Sequence, residues 1–194
     1  MQNTYQWEIT PTKLPGVIRN CSKCGNSSTY QCSQNFRVNA NHRTLDVWLI
    51  YQCSKCNNTW NMEILSRTNV NSIDKELYLK FLANDKELAG YYAFDTPTLG
   101  RNNATVNYEE LDYKLIGDTI PYNELTAACE VTIRCTVPLE LRLDKLLANP
   151  LVLSREKVKK LCDNGKIISS KHKKAIKLKI KDELKLIIHP SDKP

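Results

Sequence analysis

The stretch that decides the fold of the N-terminal part is a repeated cysteine pair, Cys21-Ser-Lys-Cys24 and Cys53-Ser-Lys-Cys56. Two thiolates at this spacing can reach one ion from a tight turn, and two such turns complete a tetrahedral sulfur site. Gly25 permits the positive φ that such a turn often needs. The repeat therefore predicts one structural Zn²⁺ held by Cys21, Cys24, Cys53 and Cys56, whereas a single pair would suit a redox dithiol equally well.

The segment around the second pair predicts three strands. Alternating and β-branched residues favour strands over residues 36–38, 45–51 and 59–65, with a turn at 39–43. Two metal-bearing turns on a three-stranded sheet make a zinc ribbon, which we assign to residues 1–67. Cys32 and His42 lie in the same segment and are spare candidates for ligands.

Two stretches carry a resemblance to a known family. RNCSKCGN at residues 19–26 and FRVNANHRTLDVWLIYQCSKCNNTWN at residues 36–61 resemble a bacterial family that carries only a domain-of-unknown-function label. The resemblance runs over most of the chain. It implies a zinc-ribbon N-terminus and supplies no activity.

The charge of the chain is concentrated at its C-terminal end. The formal net charge is +7. Residues 1–138 hold 13 Lys and Arg against 14 Asp and Glu, whereas residues 139–194 hold 15 against 7. A folded basic module predicts a polyanion as partner.

The chain has no apolar run of the roughly 18 residues that span a bilayer and no signal peptide, so we expect a cytoplasmic protein without a membrane partner and without disulfides.

The middle region, residues 68–138, predicts a mixture of helices and strands. Helical patterns begin near Ser72 and Asp85, and residues 129–137 alternate as a strand. The sequence has no Gly-rich phosphate loop, no nucleophile elbow and no His-Glu zinc helix. We therefore assign no catalytic residue, and the absence of these motifs disfavours an enzyme without deciding the question.

The basic C-terminal segment, residues 139–194, predicts two helices and a small sheet. Residues 141–147 form an amphipathic pattern that ends at Asn149-Pro150, and Ser154 can cap a second helix over residues 155–164. Alternating runs at 175–180 and 183–188 predict strands. The chain as a whole is therefore expected to be α+β: a three-stranded zinc ribbon, an α+β middle region and a two-helix plus small-sheet domain.

This C-terminal pattern resembles the RNA-binding domain named after ribosomal small-subunit protein four. The match rests on Arg142-Leu143-Asp144, Ser154-Arg155 and Gly165-Lys166-Ile167, within about 50 residues. The usual valine-asparagine-glycine turn is replaced by Ile168-Ser169-Ser170, and a late glycine by Lys181. The resemblance implies that basic residues of the second helix and the following loop contact structured RNA through its backbone. The candidate RNA-binding residues are Arg142, Lys145, Arg155, Lys159, Lys166, Lys171, Lys173 and Lys174.

Three functional hypotheses follow. The first is a non-catalytic zinc-ribbon protein that binds structured RNA or the ribosome through its basic C-terminal domain. The second is a protein–protein interaction adaptor with a structural zinc. The third is an RNA-modifying or zinc-dependent enzyme, which would need a metal site that keeps a position open for water.

Overall fold

A computed structural model describes residues 3–169, 177–180 and 183–191. Within that part, the strands are β1 (Asn3–Pro11), β2 (Val17–Cys21), β3 (Asn26–Asn41), β4 (Thr44–Cys53), β5 (Thr59–Asn69), β6 (Thr105–Val106), β7 (Tyr113–Ile116), β8 (Cys129–Cys135), β9 (Leu139–Arg142), β10 (Ile167–Ser169), β11 (Lys177–Ile180) and β12 (Glu183–Ile188). The α-helices are α1 (Lys75–Leu82), α2 (Lys86–Phe94), α3 (Thr96–Arg101), α4 (Leu143–Leu147) and α5 (Arg155–Asp163).

The chain forms two compact units. Unit 1 consists of Met1–Thr12 and Asp112–Pro194, and unit 2 of Lys13–Leu111. The sequence-based segments, 1–67, 68–138 and 139–194, divide the chain at other positions. Unit 2 is therefore inserted between β1 and the rest of unit 1.

Unit 2 is built on a five-stranded antiparallel sheet in the order β5-β4-β3-β2-β6. Strand β4, which lies between β3 and β5, alternates strictly, with Leu45, Val47, Leu49, Tyr51 and Cys53 all buried. This period of two places these five side chains on one face, whereas Trp48 and Ile50 lie on the other. Helices α1 and α2 contribute Phe81 and Ala89 to the same core, so the sheet is covered on its apolar side.

Helices α1 and α2, which cover this sheet, each begin directly after an aspartate that acts as the N-cap. The side chain of Asp74 accepts a hydrogen bond from the backbone N–H of Leu77 at 3.0 Å, and Asp85 does the same for Leu88 at 2.7 Å. Each cap satisfies an N–H group that the first turn of a helix leaves without an intrahelical partner.

Unit 1 contains a second five-stranded sheet, in the order β10-β12-β8-β1-β7. Strand β1 lies inside this sheet, parallel to β8 from Asn3↔Cys129 to Ile9↔Cys135 and antiparallel to β7. Strands β9 and β11 pair separately as a two-stranded sheet. Ser154 caps α5 by accepting from the N–H of Lys157, as the sequence predicts.

The predicted fold is wrong in two respects, although helices and strands do occur together. The N-terminal part is not a three-stranded ribbon, because β2 and β6 extend the three predicted strands into a five-stranded sheet. The C-terminal segment is not a two-helix domain with its own small sheet. Strand β12 instead pairs with β8, which belongs to the predicted middle region, from Glu183↔Arg134 to Ile188↔Cys129, and so joins the five-stranded sheet of unit 1.

The physical reason is that β12 has apolar residues to bury and needs neighbouring strands. Leu184, Leu186 and Ile188 are buried, and β10 alone pairs with only three residues of β12. Pairing with β8 satisfies the hydrogen-bonding groups on the other side of the β12 backbone and joins β12 to the apolar face of Val131 and Ile133.

Among the described residues, none of the helices is both long and apolar enough to cross a bilayer.

Candidate metal centre

The structure brings the four cysteines of the repeated pairs together in unit 2. The Sγ atoms of Cys21, Cys24, Cys53 and Cys56 all lie within 4.8 Å of one another. Sγ of Cys21 is 3.6 Å from Sγ of Cys56, and Sγ of Cys24 is 4.0 Å from Sγ of Cys53. All four are free thiols, so the cluster could hold a metal ion.

Two turns of the same form position these thiols. In the first, the backbone N–H of Gly25 donates to the carbonyl of Cys21 at 2.9 Å, and in the second the N–H of Asn57 donates to the carbonyl of Cys53 at 2.9 Å. Gly25 has φ 71° and Asn57 has φ 56°. Glycine and asparagine are the residues that adopt this left-handed conformation most readily, so each is suited to its position. The turns are therefore equivalent in sequence and in backbone.

The two turns are also tied to the sheet and to each other. The N–H of Ser54 donates to the carbonyl of Thr29 at 2.9 Å, which joins the second turn to β3. The amide of Asn58 donates to the hydroxyl of Ser22 at 3.5 Å across the two turns. Cys21 and Cys53 are buried at the ends of strands, whereas Cys24 and Cys56 are partly exposed. The cluster thus lies at one end of the sheet, with its outer sulfurs near solvent.

Hydrogen bonds shift the pKa values of three of the four thiols, and not all in the same direction. A hydrogen bond from Tyr30 is the main influence on Cys21 and lowers its pKa to about 6. At Cys53, burial favours the thiol, but the backbone N–H groups of Lys55 and Cys56 outweigh it and lower the pKa. The hydrogen bond with Cys56 raises the pKa of Cys24 to about 12. The lowered pKa values favour the thiolate form at Cys21 and Cys53, and thiolates are the form that binds metal.

Tyr30 is held in place by its own surroundings. Burial, followed by the hydrogen bond with Cys21, raises its pKa to about 12, so the phenol keeps its proton at neutral pH. Its ring packs edge-on against Trp60, with centroids 5.8 Å apart. The guanidinium of Arg19 lies 4.2 Å from the centroid of the Trp60 ring.

The spare candidates, Cys32 and His42, do not join the cluster. Cys32 is half-buried on β3, where its sulfur accepts from the N–H of Gln34 at 3.4 Å and burial raises its pKa. His42 is exposed in the turn between β3 and β4, with φ 52°. The turn lies at the opposite end of that hairpin from Cys53.

Two of the candidate RNA-binding residues hold a buried carboxylate. Asp144 on α4 is buried, and it accepts hydrogen bonds from Arg142 at 3.0 Å and 3.3 Å and from Arg155 at 3.1 Å and 2.9 Å. These charge-assisted bonds outweigh the effect of burial and lower the pKa of Asp144. Arg142 and Arg155 therefore join the end of β9 and the start of α5 through one carboxylate.

The other candidate residues lie apart from this group. Lys145 and Lys159 are exposed on α4 and α5, and Lys166 is half-buried between α5 and β10. Lys171, Lys173 and Lys174 lie outside the described residues. Sequence reasoning missed Tyr30 and Asn57 as supports of the thiols. The second could have been found by aligning CSKCGN with CSKCNN, which places Asn57 at the position of Gly25.

Comparison with known proteins places the chain in a family. No curated protein and no solved structure matches it. Residues 38–173 match a family model described as protein of unknown function (DUF1062). The expectation of a domain family without an assigned activity is thereby confirmed, whereas no match supports the likeness to a ribosomal RNA-binding domain. Because the matched residues span more than half of the chain, this protein is a member of the DUF1062 family.

Proposed function

We propose that the chain is a non-catalytic protein whose Cys21, Cys24, Cys53 and Cys56 hold one structural Zn²⁺. The observation that carries this proposal is the spacing of the sulfurs. Zn–S bonds of about 2.3 Å in a tetrahedron place neighbouring sulfurs about 3.8 Å apart. The cluster has 3.6 Å and 4.0 Å between its paired sulfurs, on either side of that value.

The chemistry of the donors supports zinc in a structural role. Four thiolates complete a tetrahedral shell and leave no position for water, so the ion would supply neither a nucleophile nor a Lewis acid to a substrate. The ion would instead join the turn after β2 to the turn after β4, at the end of the sheet. Metal binding free energy of about 10 kcal/mol or more would then contribute to the folding of unit 2.

The test compares two serine variants of the full-length protein. Cys53→Ser/Cys56→Ser should lose zinc, measured by atomic emission, and lose hydrogen-exchange protection in β3 and β4. Cys32→Ser is the matched control, because it makes the same atomic change in the same unit outside the cluster, and it should keep one zinc per chain. A cobalt-loaded protein should show tetrahedral all-thiolate absorption. Full zinc content and unchanged protection in the double variant would reject the assignment.

A second candidate function, the binding of structured RNA by unit 1, is favoured by the charge of α5. Lys157, Lys159 and Lys160 are exposed there, although Lys160 pairs with Glu156 at 3.0 Å. Residues 139–194 hold 15 Lys and Arg against 7 Asp and Glu. Lysines on a rigid helix suit contacts with phosphates, which carry affinity but no base sequence.

The RNA proposal needs variants that leave the fold intact. Charge reversal at Arg155 is unsuitable because it would also deprive Asp144 of a partner. Lys157→Gln/Lys159→Gln should weaken binding to a structured RNA, and the loss should be larger at 50 mM than at 200 mM salt. Lys75→Gln/Lys86→Gln, at exposed lysines of unit 2, is the control for charge. Equal RNA binding by both double variants would reject α5 as the contact. If the protein instead bound other proteins independently of salt, the hypothesis of a protein–protein interaction adaptor would be favoured.

A further inference from the structure

A polar cavity of about 280 Å³ lies inside unit 1, between the segment that begins at β7 and helix α4. One wall consists of Tyr113 and Leu115 on β7 and of Gly117 and Thr119, which follow the end of that strand. Tyr113 and Leu115 are alternate residues of the strand, so both face the same side. The other wall consists of Lys145 and Leu146 on α4, followed by Asn149 and Pro150.

Backbone hydrogen bonds fix the two walls against each other. The N–H of Ile120 donates to the carbonyl of Pro150 at 2.7 Å, and the N–H of Tyr122 donates to the carbonyl of Leu151 at 3.1 Å. Lys145 and Asn149 lie four residues apart, one turn along α4 and its continuation, and both are exposed. The cavity is therefore a preformed concave site, of the kind that binds small ligands.

The side chains that line the cavity are suited to an anion. Lys145 offers an ammonium group, Asn149 an amide, and Thr119 a hydroxyl, all of which donate hydrogen bonds. Burial raises the pKa of Tyr113, so its phenol also stays a donor at neutral pH. Among the described residues that line this cavity, none is an Asp or a Glu.

The charges next to the cavity favour the same class of ligand. Asp144 adjoins Lys145, but Arg142 and Arg155 both bind its carboxylate, so these four residues sum to a positive charge. The ammonium of Lys145 lies 5.8 Å from the centroid of the Tyr113 ring, which places it near the wall that includes β7. A small dianion would meet a positive potential and several donors there.

We infer that this cavity binds a phosphate monoester, with Lys145, Thr119 and Asn149 donating to the phosphate oxygens. Its volume lies just below the usual 300–1,000 Å³ of pockets for drug-sized ligands, so it accommodates about one phosphate and a small attached group, and the rest of a larger molecule would extend into solvent past the exposed Thr119, Lys145 and Asn149. The same group occurs on a free phosphorylated metabolite and at the 5′ end of an RNA. The site lies outside unit 2, so it does not depend on the proposed zinc.

The experiment is a titration of the full-length, isotope-labelled protein followed by NMR at constant ionic strength. The probes are inorganic phosphate, adenosine 5′-monophosphate, and one short oligoribonucleotide made with either a 5′-phosphate or a 5′-hydroxyl. Saturable shifts of the amides of Thr119, Lys145 and Asn149 are expected with phosphate and the monophosphate. A response to the 5′-phosphorylated oligonucleotide alone would also support the site and would identify its source as an RNA end.

Matched variants separate the site from general attraction of anions. Lys145→Gln should weaken binding at least about tenfold, since one charge-assisted hydrogen bond is lost. Thr119→Val should weaken it by several fold without a change in charge. Lys114→Gln removes the same charge from an exposed lysine of β7 that does not line the cavity, and it should leave affinity within about twofold. No saturable response to any probe, or equal losses in Lys145→Gln and Lys114→Gln, would overturn the inference.

Discussion

Replacing the buried carboxylate of Asp144 tests what holds the C-terminal helices of unit 1 in place. The side chain of Asp144 is 6% exposed and accepts four hydrogen bonds from Arg142 and Arg155. Asp144→Asn keeps the shape of the side chain but removes its charge. It also sets an N–H donor against guanidinium groups that can only donate.

The size of the effect follows from the burial of the three groups. Removing one partner of a buried ion pair costs about 3–5 kcal/mol. Here the side chains of Arg142 and Arg155 are 37% and 54% exposed, so both can turn toward water and recover part of that loss. We therefore expect Asp144→Asn to lower the free energy of unfolding of unit 1 by about 2–3 kcal/mol.

The same interaction predicts a dependence on pH. The arginines hold the pKa of Asp144 in the folded protein below its unfolded value of about 3.9. A carboxylate with a lowered folded pKa stabilises the protein above the unfolded value, and this contribution is lost as the pH falls through the folded pKa. The difference in stability between the natural protein and Asp144→Asn should therefore be constant near pH 7 and shrink below about pH 4.

Hydrogen exchange read by mass spectrometry is the suitable assay, because it reports the two units separately. Peptides from α4 and α5 should lose protection in Asp144→Asn, while peptides from β3 and β4 should not. Glu156→Gln is the matched control, since Glu156 forms a solvent-exposed pair with Lys160, and such pairs contribute little to stability. If both variants lost the same protection, the reasoning about the buried carboxylate would be refuted.

Two backbone positions give further predictions. Gly117 has φ 150°, and a Cβ there would collide with the ring of Trp7 and lie 2.8 Å from the carbonyl oxygen of Gln6. Gly117→Ala should therefore lower the free energy of unfolding of unit 1 by about 3 kcal/mol or more in a denaturant titration. A loss below about 1 kcal/mol would contradict this crowding. Val152 has φ 54° but is 61% exposed. Val152→Gly should therefore relieve backbone strain without loss of packing and raise the free energy of unfolding by about 0.5–1 kcal/mol. A lower melting temperature would show that the backbone strain is absent.

Local patterns predicted the parts of the fold that depend on neighbours in sequence. The spacing of Cys21 and Cys24, and of Cys53 and Cys56, was enough to bring four thiols into one hypothesis, because each turn is closed within a few residues. The cap at Ser154 was predicted for the same reason, and the helical patterns predicted near Ser72 and Asp85 lie at the helices that Asp74 and Asp85 cap.

Long-range pairing could not be predicted in this way. Alternation in β12 shows which side chains are buried but not which strand lies beside it, so its pairing with β8 was missed. The parallel pairing that joins Asn3 to Cys129 has no local signature. In the sequence, Arg155 resembles a phosphate contact. Only the fold shows that its guanidinium binds Asp144.

The insertion of unit 2 between β1 and the rest of unit 1 sets an order for folding during synthesis. Residues 13–111 leave the ribosome as one continuous segment and can pair their own strands before the C-terminal residues exist. Strand β1 emerges first, yet its neighbours in the sheet, β7 and β8, are made only after unit 2 is complete. A strand that must remain unpaired for that time is exposed to wrong partners, so we expect that protection of β1 by a chaperone would raise the yield of folded protein.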